Sequence, residues 1–330
     1  MNDSKRFMAV FGGGLALVAA LFLLSLFTGP VAIGFGAGWR ALFTTTDLTP
    51  IMWEIRLPRA LGAVLVGGSL GLAGAALQGY MRNPLAEPGL VGVTGAASLG
   101  AVVAIYSGWA MAFSLALPLG ALAAAMLAVV LVLVLAGRGR DPVTLILAGV
   151  AISSLCGALT TLLISLSNPY AMAEIIFWLL GSLHDLSMPQ IYLGLPFIFA
   201  GWLLLLALGR MLNLLTLGHD AAASMGISLV RLRLCLVIGA GLCVGASTAL
   251  AGAIGFIGLM APHIMRPPVR AVPARLLPVS AVAGAVLVLL ADIAVRALAP
   301  WQDLKLGVLT ALIGAPFFLW LVIRSRREGW

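Results

Sequence analysis

The chain has 330 residues, 62% hydrophobic and 9% charged, with a mean hydropathy of +1.14. A soluble domain of this size needs far more polar surface, with about a quarter of its residues charged, so a soluble enzyme, a disordered chain and a nucleic-acid-binding domain are excluded. The net charge of +8 comes from basic residues spread thinly between apolar runs, a membrane pattern rather than a polyanion-binding patch.

The first apolar run, Phe7 to Phe27, follows Lys5 and Arg6. It is longer than the core of a signal peptide and ends in Thr28-Gly29-Pro30 without a small-x-small cleavage site, so it is expected to be a membrane helix. With roughly 20 apolar residues per span, the runs that follow predict spans at 58–80, 90–108, 112–136, 142–167, 188–209, 231–251, 254–268, 276–298 and 306–323. The expected fold is therefore an all-α polytopic membrane protein of about ten transmembrane helices. Residues 1–330 form one membrane domain.

With the N-terminus in the cytoplasm, most of the 19 basic residues fall inside, including Arg82, Arg138, Arg140, Arg210, Arg231, Arg233, Arg266 and the Arg324-Ser325-Arg326-Arg327 tail. Only Arg40, Arg56, Arg59, Arg296 and Lys305 fall outside, as the positive-inside rule requires. An even number of spans puts both termini in the cytoplasm.

The eighth span is anomalous. Residues 234–265 must leave and return, and as helix they reach only about 48 Å against about 60 Å for two crossings. Gly252, Gly255, Gly258 and Pro262 predict that one pass is broken. Irregular backbone at membrane depth has to be buried in protein or line a cavity.

Residues 66–75, VGGSLGLAGA, match 244–253, VGASTALAGA, at seven of ten positions. The first copy runs inward and the second outward, which suggests an inverted repeat of the kind transporters use.

Catalytic chemistry is sparse. The sequence contains no H-E-x-x-H, no G-x-S-x-G and no P-loop. No catalytic residue, resident metal or cofactor is expected on this chain. Cys156, Cys235 and Cys243 have no metal-ligand spacing, and His184, His219 and His263 lie far apart in sequence. Residues 88–137, 142–173 and 234–265 carry no Asp, Glu, Lys or Arg. An ion-coupled secondary transporter with inverted repeats, the second reading, ordinarily needs a buried acid or histidine there. Energy is expected to come from a partner instead. Asp292 and Arg296, four apart near the outer end of the ninth span, share a helix face.

Three motifs carry more information. Arg56-Leu57-Pro58-Arg59 opens the second span, with proline at a first helical turn. Gln78-Gly79-Tyr80-Met81-Arg82-Asn83-Pro84-Leu85-Ala86-Glu87-Pro88-Gly89 is a tight turn at its inner end. Gly252-Ala253-Ile254-Gly255-Phe256-Ile257-Gly258-Leu259 precedes Pro262-His263 and Arg266.

Together with Trp178-Leu179-Leu180-Gly181-Ser182, the Asp292/Arg296 pair and Gly314-Ala315-Pro316-Phe317-Phe318, these motifs make the chain resemble the FecCD-type permeases. Those are the membrane subunits of bacterial ABC importers for iron-siderophores, haem and vitamin B12. The resemblance runs from about Arg56 to the C-terminus.

It implies an inner-membrane permease of the type II importer fold that works by alternating access. Such permeases pair, usually as homodimers. Two ATPase subunits, which hold ATP and Mg, dock beneath, and a periplasmic binding protein docks above. Arg56, Arg59 and Arg296 would meet acids of the binding protein. The loop at about 212–228 would couple to the ATPase through Leu217, Gly218, His219, Asp220, Ala221, Met225 and Gly226. His219 stands where the family usually has an acid. Asn83, Pro84 and Leu85, with Asp141, Pro142, Val143 and Thr144, would form a cytoplasmic gate. Gln302-Asp303-Leu304-Lys305-Leu306-Gly307 departs from the family's Glu-x-Pro-x-Gly pattern. The Glu87-Pro88-Gly89-Leu90 stretch leans toward haem and B12 permeases.

Overall fold

The computed structural model describes residues 3–31, 33–137, 142–298 and 304–327, and no side chain for Pro142 or 325–327. Asp141, Gln302 and Asp303 therefore lie outside the described residues, as do Arg138 and Arg140.

The described chain is helical throughout. Helix α1 (Asp3–Phe27) and the short α2 (Phe35–Phe43) lead to a π-helical turn (Ile51–Arg56) that runs directly into α3 (Leu57–Met81). A 3-10 turn (Pro88–Val91) precedes α4 (Val93–Tyr106), α5 (Trp109–Ala112) and α6 (Ala116–Leu135). Then come α7 (Pro142–Leu166), α8 (Pro169–Leu179) and α9 (Met188–Ala207). Two short helices, α10 (Gly209–Leu215) and α11 (His219–Ser224), connect to α12 (Leu229–Ala251). The chain closes with α13 (Ile257–Met265), α14 (Pro273–Leu298) and α15 (Leu306–Arg327).

Eight of these helices are long and apolar enough to cross a membrane. They coincide with eight of the ten expected spans. The other two are shorter than expected: the third is the 14-residue α4 and the eighth the nine-residue α13. The reason is the same for both. Pro88 meets Gly258 beside Leu70 and Gly74 of α3, about two turns before that helix ends at Met81. The segment after Asn83 thus folds back into the protein before α4 begins. The segment after Ala251 likewise enters the protein before α13 begins. Apolar composition marks both as membrane-embedded but does not say how much of each is helix.

Burial divides the spans into centre and rim. The most hydrophobic part of α3 is 89% buried and that of α12 78%, against 6% for α1 and 22% for α15. The repeated segments 66–75 and 244–253 lie on these two central helices. Their small residues explain the centre: a Cβ at Gly67 would strike the Gly284 carbonyl, and one at Gly71 the Ser280 carbonyl. Backbone-to-backbone contact lets α3 and α14 gain van der Waals packing where lipid removes the hydrophobic drive. α1 packs on the outside of α14, α4 on α6 and α7, and α9 on α12.

Gly252 ends α12 at φ +68 and ψ −164, with the Trp178 carbonyl where a side chain would begin. Only glycine fits such a turn against a neighbouring backbone. The Trp178-to-Ser182 motif gains its meaning here. Ser182 N donates to Ala251 O (2.8 Å), and Gly307 N donates to Gly181 O (3.1 Å). Three separated motifs thus meet at one junction around the break.

Candidate functional site

Helix α3 gives the molecule two ends, one at Arg56 and one at Arg82. The Arg56 end gathers the three arginines expected at a docking surface, with Asp292. Arg59 Nε donates to Asp292 Oδ1 (2.7 Å), and Arg296 Nη2 lies 2.7 Å from Asp292 Oδ2. Arg296 Nη1 donates to Ser25 O (2.9 Å) and Thr28 O (2.6 Å), and its Nη2 also donates to Ser25 Oγ (2.6 Å). Arg56 donates to Leu26 O (2.9 Å) and to Val31 O.

Asp292 is fully buried, and each arginine is at most 9% exposed. In this chain the three guanidinium groups are held by internal partners. The three side chains are turned inward because a carboxylate buried on α14 requires paired, hydrogen-bonded cations. The carbonyls at the end of α1 likewise require donors. Arg56, Arg59 and Arg296 brace α1, α3 and α14 together.

At the Arg82 end, α3 stops as Arg82 turns left-handed (φ +49). Asn83 N donates to Gln78 O (3.2 Å), and Asn83 Oδ1 accepts from Leu85 N (2.9 Å). The side-chain acceptor holds the turn that Pro84 starts. Asn83, Pro84 and Leu85 line a cleft of about 790 Å³ with Arg82, His263, Arg266, Arg270 and Arg324. Of the other expected gate residues, Pro142, Val143 and Thr144 open α7, with Val143 exposed. Neither Val143 nor Thr144 is among the described residues that line this cleft.

The expected coupling loop is the pair α10 and α11. Leu212 and Leu215 are fully buried, and Asn213 Oδ1 accepts from Ala274 N (2.9 Å), so the loop is fixed to the start of α14. Gly218, at φ +109, separates α10 from α11 in a backbone conformation that glycine adopts readily. Ala221 is half-buried and Asp220 exposed. His219 meets the Tyr80 ring edge-on at 6.4 Å between centroids. Leu217 (61% exposed) and Met225 (56% exposed) flank α11, with Gly226 exposed beside Met225. A short helix between two exposed apolar side chains is a shape that a cleft on another protein can take.

Between the two ends, the segments after α3 and after α12 touch. Glu87 Oε1 accepts from Phe256 N (2.8 Å) at the residue that starts α13 in a left-handed conformation (φ +67). Around this contact, Leu70, Pro88, Val244, Ile254 and Gly258 help enclose a cavity of about 140 Å³. Sequence reasoning missed Glu87 as a structural acceptor, and its one signal was an acid flanked by prolines between two apolar runs. It also missed Arg233, buried with its guanidinium on the carbonyls of Ala136 and Gly137, where it caps the end of α6.

Comparison with known proteins agrees with this architecture. The model of the FecCD transport family matches residues 17–324. The chain belongs to the FecCD transport family. The vitamin B12 import system permease protein BtuC of Citrobacter koseri is 39% identical over 276 residues, 84% of each chain. That of Salmonella paratyphi A is 40% identical over 277 residues, again 84% of each. A solved structure described as an inward-facing conformation of a metal-chelate type ABC transporter superposes with a TM-score of 0.84 at 32% identity, covering 96% of this chain and 99% of that one.

Proposed function

We propose that this chain is the permease subunit of a binding-protein-dependent ABC importer, which moves cobalamin or an iron chelate such as a siderophore or haem by alternating access. The observation that carries the reading is the family match across residues 17–324 on a fold whose α10 and α11 present Leu217 and Met225 outward. Cobalamin is the first choice of cargo, because the relatives described above are named for vitamin B12. An iron chelate is the second, on the metal-chelate type of the structural relative.

In this reading residues 1–330 are one permease domain in the bacterial inner membrane, with both termini cytoplasmic. A second copy completes the pathway. Two separate ATPase subunits bind ATP and Mg and engage the α10–α11 loop. This chain itself performs no covalent chemistry and holds no cofactor. A periplasmic binding protein docks over the Arg56 end, on a rim whose shape Arg56, Arg59 and Arg296 maintain. ATP drives the cycle because the ATPases bind the outward and inward states with different affinity. Asn83, Pro84, Leu85 and the start of α7 at Asp141, Pro142, Val143 and Thr144 serve as gate elements on the cytoplasmic side.

The test is ATP-driven uptake in proteoliposomes holding the chain with its ATPase and binding protein, offered cobalamin, haem or a ferric siderophore. Uptake of one of them that requires ATP and the binding protein is the expected result. Uptake that follows an ion gradient and ignores ATP would overturn it.

A further inference from the structure

The short helix α2 carries a row of aromatic rings that transport leaves unused. Phe35, Trp39 and Phe43 recur at every fourth residue, so they share one face of the helix. Their rings follow one another at 6.0 and 5.4 Å between centroids, and all three are exposed. A different face, with Gly38 and Ala41, is buried. Ala41 packs with Leu26, Ile33, Met52 and Ala60, which ties α2 to the end of α1, the π-helical turn and the start of α3. A contiguous aromatic row left open on a helix marks an interaction surface.

The row does not begin on α2. Phe27, the last residue of α1, meets the Phe35 ring at 4.7 Å. Only 6% of the apolar window of α1 is buried. Its exposed Leu15, Leu17, Leu23 and Leu24 together span more than half of the helix circumference. One flat protein partner cannot cover so wide an arc, so α1 meets acyl chains. The aromatic row therefore continues a lipid-facing surface from the point where the span ends, the level at which aromatic side chains collect. Arg40 is exposed next to the stripe, on the side away from the packed face. An apolar stripe flanked by a basic side chain is the pattern of a helix lying in the interface plane. A partner that comes and goes would leave the rings in water between encounters, whereas lipid stays.

We infer that α2 lies in the headgroup layer at the Arg56 end, the outer leaflet in the orientation proposed above. Phe35, Trp39 and Phe43 enter the acyl boundary, and Arg40 stays among the phosphates. The helix thereby holds the π-helical turn and the start of α3 at a fixed depth. The inference rests on the membrane placement alone and does not depend on the cargo or on uptake.

The test uses the full-length protein in phosphatidylcholine proteoliposomes. Benzoylphenylalanine in place of Phe43 is photolysed with and without the binding protein, and the adducts are read by mass spectrometry. The same group in place of Leu24, on the open face of α1, controls the chemistry. Depth is read from the Trp39 fluorescence, taken as the difference between the wild type and Trp39→Phe, in lipids brominated near the headgroup or near the chain end. Phe43 should give lipid adducts whether or not the binding protein is present. Shallow bromine should quench Trp39 about twofold more than deep bromine. A chain-to-chain adduct would assign the stripe to a second copy and overturn the inference. An adduct with the binding protein would make the stripe a docking surface and overturn it too. Quenching by aqueous iodide without any lipid adduct, or equal quenching at both depths, would show that α2 does not lie in the interface.

Discussion

Asp292 is paired with two arginines that lie on different helices, so its removal leaves two buried cations without their anion. Breaking a buried pair in this way costs roughly 3–5 kcal/mol. Asp292→Ala should therefore lower the thermal midpoint in detergent strongly, and Asp292→Asn, which keeps acceptor oxygen but not charge, by less. A midpoint unchanged in both would mean that the brace carries no stability. Arg56→Gln should be milder than Arg59→Gln, because Arg56 caps carbonyls rather than a carboxylate. These residues were visible in the sequence as an Arg-Leu-Pro-Arg motif and an i,i+4 pair. Their direction was not, because Arg59 and Asp292 are separated by 233 residues and only the assembled bundle puts them together.

The helices themselves were the most legible feature, since an apolar run of sufficient length has few alternatives in lipid. The break after Ala251 was legible too, from arithmetic on residues 234–265 and the glycines there. The shortness of α4 was not. Nothing local shows that Pro88 is drawn inward to meet Gly258. The Glu87–Phe256 bond gives this element a test. Glu87→Ala leaves a peptide N–H without its acceptor, a cost of about 1–3 kcal/mol, and should lower both the thermal midpoint and the transport rate. Glu87→Gln keeps the oxygen and should retain most of each. If Gln proves as damaging as Ala, the carboxylate's charge matters rather than the bond. Gly71→Leu, which drives a side chain into the Ser280 carbonyl, should separate α3 from α14 and abolish recovery of folded protein in detergent.

For the whole molecule, transport demands that events at the Arg82 end reach the Arg56 end. The α10–α11 loop is well placed for this, because Asn213 fixes it to the start of α14 and α14 ends in the Asp292–Arg296 brace. Replacing the exposed Leu217 and Met225 by Asp should leave the thermal midpoint nearly unchanged. The same double variant should abolish ATP-driven uptake in the reconstituted complex. Uptake at the wild-type rate would place the coupling contact elsewhere. The loop's position was predicted from a resemblance, and its exposed apolar pair was not, because exposure depends on how the loop seats against α3 and α14.

The nine residues of α13 reach only about 14 Å as helix, less than half of the hydrocarbon thickness. Such a segment cannot partition into lipid by itself, since the extended backbone at 252–256 would arrive with bare peptide groups. During synthesis it must wait in a protein-lined environment until α3 and α14 are in place to receive it. The ribosome has by then released α3, whereas α14, the other helix that packs closely on α13, follows it in the chain. The order of the helices is thus also a timetable for biogenesis. Glycosylation sites placed after residue 270 should be modified differently in chains that end before α14 and in chains that include it, because α13 settles only when α14 is present.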